Sequence, residues 1–283
     1  MAWETWATPP EALPAPVVDN HCHLDSLAAL PEGRGPERIL ADAAAAGVTR
    51  VVNIGCDIAS AHWTARAVQE HPTMVGGVAL HPNEVAAHAD GTHASGLNYE
   101  DAFAQIASLA RGERIRVVGE TGLDYFWSQG HKPAIQERAF RDHLALAREV
   151  GKPLQIHDRE AHADVLRVVD SDGAPPAVIM HCFSGDADLA RECLARGWYL
   201  SFAGTVTFRN APGLREAAAL CPADRLLVET DSPYLAPHPQ RGTINSPAMV
   251  ATTMRTLAEV RGEDLALLCE RVNTTSEALF GPW

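Results

Sequence analysis

The feature that most constrains this chain is a unit that recurs eight times: a short, apolar, β-branched run, a Gly or polar break, and a segment with helical periodicity. The runs are, in order, PVVDNHCH, TRVVNIGC, MVGGVALHP, IRVVGETGLD, KPLQIHDR, AVIMHCFSG, GWYLSFAG and DRLLVETDSP. Short continuous apolar runs are typical of strands buried on both faces of a parallel sheet. Within 283 residues they predict an α/β fold, a single-domain (β/α)8 TIM barrel, with residues 1–16 as an N-terminal lead and 17–283 as the barrel domain. A doubly wound sheet is the alternative, but no G-x-G-x-x-G follows the first run.

The composition, 46% hydrophobic and 21% charged, is that of an ordinary soluble globular protein. No apolar run reaches the roughly 18 residues that indicate a membrane span. The stretch MAWETWATPPEALPAP has no basic or apolar signal region, and none of the six cysteines has C-x-x-C spacing. We therefore expect a cytoplasmic protein without a membrane or an obligate protein partner, whose cysteines are reduced packing residues.

The charge balance is acidic, with a formal net charge of −13. A basic footprint is the usual mark of nucleic-acid binders, so tight, non-specific duplex binding is disfavoured. A nucleic-acid substrate stays open, because bound divalent metals supply local positive charge in an acidic protein.

Functional side chains of a (β/α)8 barrel lie at the carboxyl ends of its strands, on one face. In this chain, residues of metal-ligand type end six of the eight runs. They are His21, His23, His81, Glu120, His157, His181 and Asp231. Their clustering at one predicted face indicates a metal site rather than scattered surface histidines.

Imidazole and carboxylate ligands together suit Zn, Fe, Ni, Mn or Mg. Leaving His81 aside, the six other ligands are too many for one tetrahedral ion, but they suit two divalent ions about 3.5–4 Å apart that share a carboxylate. Glu120 is the natural bridge, because its strand lies between the first and the fifth. Asp231 is placed to hold a water at the metal and to accept its proton.

Other polar residues have weaker assignments. Arg159, two residues after His157, either grips a phosphate or carboxylate or pairs with the acidic neighbourhood of Glu160. Cys22 and Cys182 alternate away from the neighbouring histidines and are expected to pack rather than to ligate. The remaining histidines of helices and loops are expected to be solvated; they include His71, His88, His93, His131 and His143.

Seven motifs together resemble those of the TatD family of metal-dependent deoxyribonucleases, in the amidohydrolase superfamily. They are DNHCHLD, ALHPNEV, VGETGLDYFW, IHDREA, HCFSGD, SFAGTVTF and VETDSPYLAP…RGTINSP, and they run in order from about residue 17 to 280. The resemblance implies a barrel that hydrolyses DNA phosphodiesters, often from the 3′ end, with divalent metals.

The resemblance also implies roles for individual residues. It assigns one metal to His21, His23 and Asp231, and a second to His157 and His181, with Glu120 as the bridge. It places His81 near the substrate phosphate. Two positions depart from the family pattern: Asn83 stands where many members have a second histidine, and RGTINSP has Thr243 and Ile244 where members usually have a basic residue. The second departure weakens the expectation of polynucleotide affinity, though not that of metal chemistry.

The leading hypothesis is a hydrolase that cleaves DNA ends, as a 3′-5′ exonuclease, by a metal-activated water. The first alternative is a D-aminoacyl-tRNA deacylase, or another amidohydrolase or esterase, on the same barrel. Lactonases and phosphotriesterases of the superfamily usually carry a bridging lysine at a strand end, and the fourth run ends in Glu120 without one. The second alternative is a non-catalytic, metal-bearing scaffold.

Overall fold

The computed structural model describes residues 5–30, 33–127 and 132–283. All eight predicted runs form strands in this part of the chain. They are β1 Val17–Cys22, β2 Val48–Gly55, β3 Met74–Val78, β4 Ile115–Asp124, β5 Leu154–Arg159, β6 Val178–Met180, β7 Tyr199–Phe202 and β8 Leu226–Val228. Except for the edges of β2, β4, β5 and β7, their residues are buried, as expected for strands covered on both faces.

The strands form one sheet in the order of the chain, β1 to β8, and the pairs β1–β2, β3–β4, β4–β5, β5–β6 and β7–β8 are parallel. The chain beyond β8 then returns to β1: Cys22 and Ser232 form a parallel bridge, the Asp231 amide donates to the His21 carbonyl at 2.9 Å, and the His23 amide donates to the Ser232 carbonyl at 2.8 Å. These bonds close the sheet on itself. The (β/α)8 TIM barrel predicted from the sequence is confirmed.

Helices follow the strands in turn. They are α1 Leu24–Ala28, α2 Pro36–Ala45, α3 Ile58–Glu70, α4 Pro82–Ala89, α5 Tyr99–Leu109, α6 Lys132–Val150, α7 His162–Asp172, α8 Ala187–Ala195, α9 Pro212–Leu220, α10 Val250–Arg261 and α11 Leu265–Phe280. Several begin at a side-chain cap. Asp57 accepts from the Ser60 amide at the start of α3, in a reciprocal capping box, and Asp186 accepts from two amides at the start of α8.

The chain divides into two compact units. The first comprises residues 1–53 and 185–283, and the second comprises residues 54–184. In the first, α11 packs on β1 and β8, and the Leu13 amide of the N-terminal lead donates to the Ala46 carbonyl at 3.0 Å. In the second, α6 packs on β4 and α4.

Two expectations about histidines are wrong. His88 and His143 are buried, not solvated, because each ring finds partners inside the second unit: His88 Nδ1 lies 2.9 Å from the Leu97 carbonyl, and His143 contacts two backbone groups. His131 lies outside the described residues. Cys22 packs as predicted, and all six cysteines, which fall within the described ranges, are thiols rather than disulfides. Among the helices that the structure describes, none combines the length and apolarity needed to cross a bilayer.

Candidate metal centre

In the first unit, β1 and the loop after β8 bring together His21, His23 and Asp231. His21 Nε2 lies 3.3 Å from His23 Nε2, and Asp231 Oδ1 lies 3.8 Å and 3.3 Å from these two nitrogens. The two histidines are buried and the carboxylate is partly exposed. The two ring nitrogens and the carboxylate oxygen thus face one another, and Asp231 is the partly exposed member of the triad.

The buried side chain of Asp19 links the backbone of β1 to the segment that carries Asp231. Asp19 accepts hydrogen bonds from the His21 amide at 3.2 Å, from the Thr230 amide at 2.9 Å and from the Thr230 hydroxyl. Burial nevertheless outweighs these bonds and raises the pKa of Asp19 to about 8. Asp231 has a positive φ of 55°, which costs on the order of 1 kcal/mol in a residue other than glycine. The hydrogen bond from the Asp231 backbone amide to the His21 carbonyl stabilises that conformation.

In the second unit, one oxygen of Glu120 on β4 is surrounded by three imidazoles. Glu120 Oε1 lies 2.5 Å from His157 Nδ1, 3.3 Å from His181 Nε2 and 3.6 Å from His81 Nε2. Burial by itself raises the pKa of Glu120, but the charges of His181, His81 and His157 outweigh it and hold the pKa well below its usual value. Glu120 is therefore a buried anion at neutral pH.

His157 on β5 stands between two carboxylates. Its Nδ1 faces Glu120, and its Nε2 lies 3.2 Å from Asp124 Oδ2. Burial lowers the pKa of His157, but the two carboxylates more than compensate and raise it to about 10. The same pairing acts on Asp124: burial raises its pKa, while the bonds from His157, the Trp127 amide and Asn83 lower it to about 2.

Two members of this cluster were not among the predicted site residues. Asp124 is the last residue of β4, four residues after Glu120, and it is fully buried. The Cys56 thiol, directly after β2, donates to Glu120 Oε2 at 3.6 Å, so this cysteine lies at the cluster instead of being one more packing residue. Strand-end position is the signal that both share with the predicted residues.

The two predicted substrate-binding residues lie at different places in the second unit. His81 is the N-cap of α4: its Nδ1 accepts from the Asn83 amide at 3.1 Å, which turns Nε2 toward Glu120. Arg159 is exposed, and its guanidinium lies 4.1 Å from the centroid of the Phe126 ring. The structure therefore places His81 among the potential metal ligands and Arg159 at the surface, against Phe126.

The donor sets suit divalent ions. Ligand atoms bound to one tetrahedral ion at about 2.1 Å are about 3.4 Å apart. The separations in the first triad, 3.3 to 3.8 Å, are close to that value. In the second unit, His81, Glu120 and His157 offer ligand atoms that all lie within 4.8 Å of one another, and His181 is close to the same carboxylate oxygen. Nitrogen and oxygen donors of this kind suit Zn, Mn, Fe or Ni.

Clusters of histidines and carboxylates at the strand ends of a (β/α)8 barrel are typical of metal-dependent hydrolases. The family model described as "TatD related DNase" matches residues 18–281. The chain therefore belongs to the TatD family of metal-dependent hydrolases.

Full-length relatives agree with this assignment. A metal-dependent hydrolase named TatD from Mycobacterium tuberculosis is 44% identical, over 93% of this chain and 96% of the relative. The metal-dependent hydrolase YcfH of Escherichia coli K12 is 38% identical, over 93% of this chain and 95% of the relative. A more distant relative from Enterobacter lignolyticus, 33% identical over 88% of this chain and 94% of its own length, is named a 3′-5′ ssDNA/RNA exonuclease TatD.

The fold matches solved structures of the same family. The crystal structure of YJJV, a TatD homologue from Escherichia coli K12, superposes with a TM-score of 0.83, over 94% of this chain and 98% of that one, at 24% identity. At this identity the match shows the barrel alone.

Proposed function

We propose that this protein is a metal-dependent nuclease of the cytoplasm that removes nucleotides from the 3′ end of DNA. The observation that carries the proposal is the buried Glu120 carboxylate, whose Oε1 lies 2.5 to 3.6 Å from three imidazole nitrogens. Burying several ionisable groups together costs free energy, and such clusters are found most often at functional sites such as metal centres. The family description as DNases and the exonuclease name of the Enterobacter relative support DNA as the substrate.

Each cluster is proposed to bind one divalent ion. His21, His23 and Asp231 form the first set, and Glu120, His157 and His181 form the second. When bound, such ions polarise a phosphoryl oxygen and make water a nucleophile near neutral pH. Glu120 as a bridging ligand remains a prediction from the sequence.

The surrounding residues have proposed roles in handling the substrate and the proton. Asp231 is partly exposed and contacts both histidines of its set, so it can orient a water and accept its proton. His81 Nε2 faces the second set, and Arg159, two residues after His157 on β5, has an exposed guanidinium; each is proposed to contact a substrate phosphate.

The test uses the purified protein after removal of metals with EDTA and reloading with Mg²⁺, Mn²⁺ or Zn²⁺ in turn. The substrates are single-stranded DNA labelled at the 3′ end, the same strand labelled at the 5′ end, and a D-aminoacyl-tRNA. We expect early release of single nucleotides from the 3′ label, only when a metal is present. Cleavage of the acyl ester with the DNA left intact would instead support the deacylase alternative.

Variants separate the site from contamination. Asp231→Asn and His157→Ala are expected to lower the rate by 100-fold or more, as for groups that act directly in hydrolysis, by order of magnitude about 3 kcal/mol. His238→Ala removes an exposed imidazole outside both sets and serves as the matched control. Unchanged DNA cleavage by His157→Ala would show that the activity belongs to another protein, and the absence of any metal-dependent hydrolysis would favour the scaffold alternative.

A further inference from the structure

Two large aromatic side chains are exposed just after β4. Phe126 is 44% exposed and Trp127 is 62% exposed, and their ring centroids lie 4.7 Å apart at an interplanar angle of 87°. Adjacent exposed aromatic rings are a recurrent mark of a binding site, because covering their apolar surface with a ligand releases it from water. We call these two residues the aromatic pair.

Cationic side chains flank the aromatic pair. The Arg159 guanidinium lies 4.1 Å from the centroid of Phe126 and 5.8 Å from that of Trp127. Trp127 also lines a cavity of about 330 Å³, together with Lys132, Asn83 and Ala86. That volume is at the lower end of small-ligand pockets. In a chain with a net charge of −13, two cations beside exposed rings make a locally favourable place for an anion.

The aromatic pair is tied to the second ligand set through one carboxylate. The Trp127 amide donates to Asp124 Oδ1 at 3.0 Å, and Asp124 Oδ2 lies 3.2 Å from His157 Nε2. The side-chain nitrogen Nδ2 of Asn83, which lines the cavity, donates to the same Oδ2 at 3.3 Å. The rings, the cavity and a proposed metal ligand are therefore positioned by the same buried side chain.

We propose that the aromatic pair stacks on unpaired bases of a single-stranded nucleic acid, while Arg159 and Lys132 contact the neighbouring phosphates. The inference deepens the proposed nuclease function and rests on it. Proteins that hold single strands combine aromatic faces, on which any base can stack, with cations along the backbone. Bases inside a duplex have no open face, so this subsite selects single strands or frayed ends.

The first test compares Trp127→Ala and Phe126→Ala with the unaltered enzyme on single-stranded DNA, with Mn²⁺ present. Loss of one stacked base is expected to raise KM about 5- to 100-fold, with kcat changed much less. The second substrate is the same strand with abasic residues in its last three positions at the 3′ end. On that strand the variants and the unaltered enzyme are expected to have the same KM.

The chain offers a matched control pair. Arg225 lies 5.0 Å from the ring centroid of Tyr199, but these residues stand at the beginnings of β8 and β7. Tyr199→Ala is therefore expected to leave KM for DNA unchanged. Both rings of the aromatic pair are exposed enough for the variants to fold, which circular dichroism and a thermal melt will verify.

A binding measurement separates this inference from the proposed function. Anisotropy of a fluorescein-labelled oligothymidylate in EDTA reports binding without hydrolysis, and Trp127→Ala is expected to weaken it by the same factor as KM. If the enzyme cleaves DNA but both the KM and the Kd of Trp127→Ala equal those of Tyr199→Ala, the stacking subsite is refuted and the nuclease function stands. If no DNA is cleaved but Trp127→Ala still weakens binding, the subsite stands and the nuclease function fails.

Discussion

The buried imidazole of His143 should make the stability of this protein fall in mild acid. The ring lies in α6, where Nδ1 donates to the Ala139 carbonyl at 2.7 Å and Nε2 accepts from the Leu80 amide at 3.1 Å. Its edge packs against Phe103, with centroids 5.0 Å apart. Both nitrogens are satisfied only in the neutral ring, and burial lowers the pKa of His143 from 6.5 to about 4.

The sign of the effect follows from proton binding. Between pH 6.5 and 4 the unfolded chain carries a proton on this histidine and the folded chain does not. The unfolded state therefore binds more protons, and the free energy of unfolding falls as the pH falls through this window. With these two pKa values, the loss is about 2 kcal/mol between pH 8 and pH 5, and about 3 kcal/mol when the folded ring also titrates.

Urea denaturation at pH 8, 7, 6 and 5, with EDTA present throughout to remove metal linkage, measures this loss. Other groups titrate as well, so the quantity to compare is the stability of the unaltered protein minus that of His143→Gln at each pH. Gln keeps an acceptor near the Leu80 amide but cannot titrate. The variant starts less stable, by about 1–2 kcal/mol for the lost hydrogen bond, and the difference should shrink by about 2 kcal/mol by pH 5.

His238→Gln, which removes an exposed imidazole, controls for the general effect of losing a histidine. Parallel curves for the unaltered protein and His143→Gln from pH 8 to 5 would refute the reasoning, since they would mean that the folded state accommodates the charged ring.

Three further predictions concern stability, each measured by urea denaturation at pH 8. Gly122→Ala should lower the free energy of unfolding by about 3 kcal/mol or more, because Gly122 has φ +143° and an added Cβ would lie 2.1 Å from the His157 carbonyl oxygen. Gly151→Ala is the control: Gly151 has φ +67° with open space around it, so the loss should be only about 1–2 kcal/mol. Equal losses for the two variants would contradict the steric argument. Asp57→Ala removes the N-cap of α3 and should cost about 1 kcal/mol, whereas Asp57→Asn should restore most of it. Phe140→Ala should cost about 3–5 kcal/mol, because the ring is fully buried, and a loss below 1 kcal/mol would show that the core closes over the cavity.

The strands were predictable because burial on both faces leaves a continuous apolar run in the sequence. Their ends were less so. β6 and β8 have only three residues each, so His181 and Asp231 lie beyond the last strand residue rather than within it. Hydrogen bonds to neighbouring strands hold these two residues: the His181 amide donates to the Ile156 carbonyl of β5, and the Asp231 amide donates to the His21 carbonyl of β1. Each partner is distant in sequence, so the local sequence carries no signal for these bonds.

The omission of Asp124 has a different cause. The fourth run, IRVVGETGLD, holds two carboxylates, and only Glu120 is assigned a role from the sequence, although β4 ends at Asp124. Residues two and four apart on a strand share a side, so the spacing of the two acids was itself a signal that both face the same way. His143 offered no comparable signal, because its burial depends on an amide donated by Leu80, which is distant in sequence.

Two buried carboxylates of this protein show how surroundings assign roles that residue type does not. Burial raises the pKa of Asp19 to about 8 despite three donated hydrogen bonds, and the charge of Glu229 acts in the same direction. Glu120 is as deeply buried, but three imidazoles reverse the effect and keep it ionised. Geometry separates the two carboxylates as well. The oxygens of Asp19 accept from the His21 amide and from the amide and hydroxyl of Thr230, so Asp19 braces β1 against the segment after β8. Glu120 Oε1 instead faces the ring nitrogens of three histidines, which is the arrangement of a carboxylate that can share a cation with them.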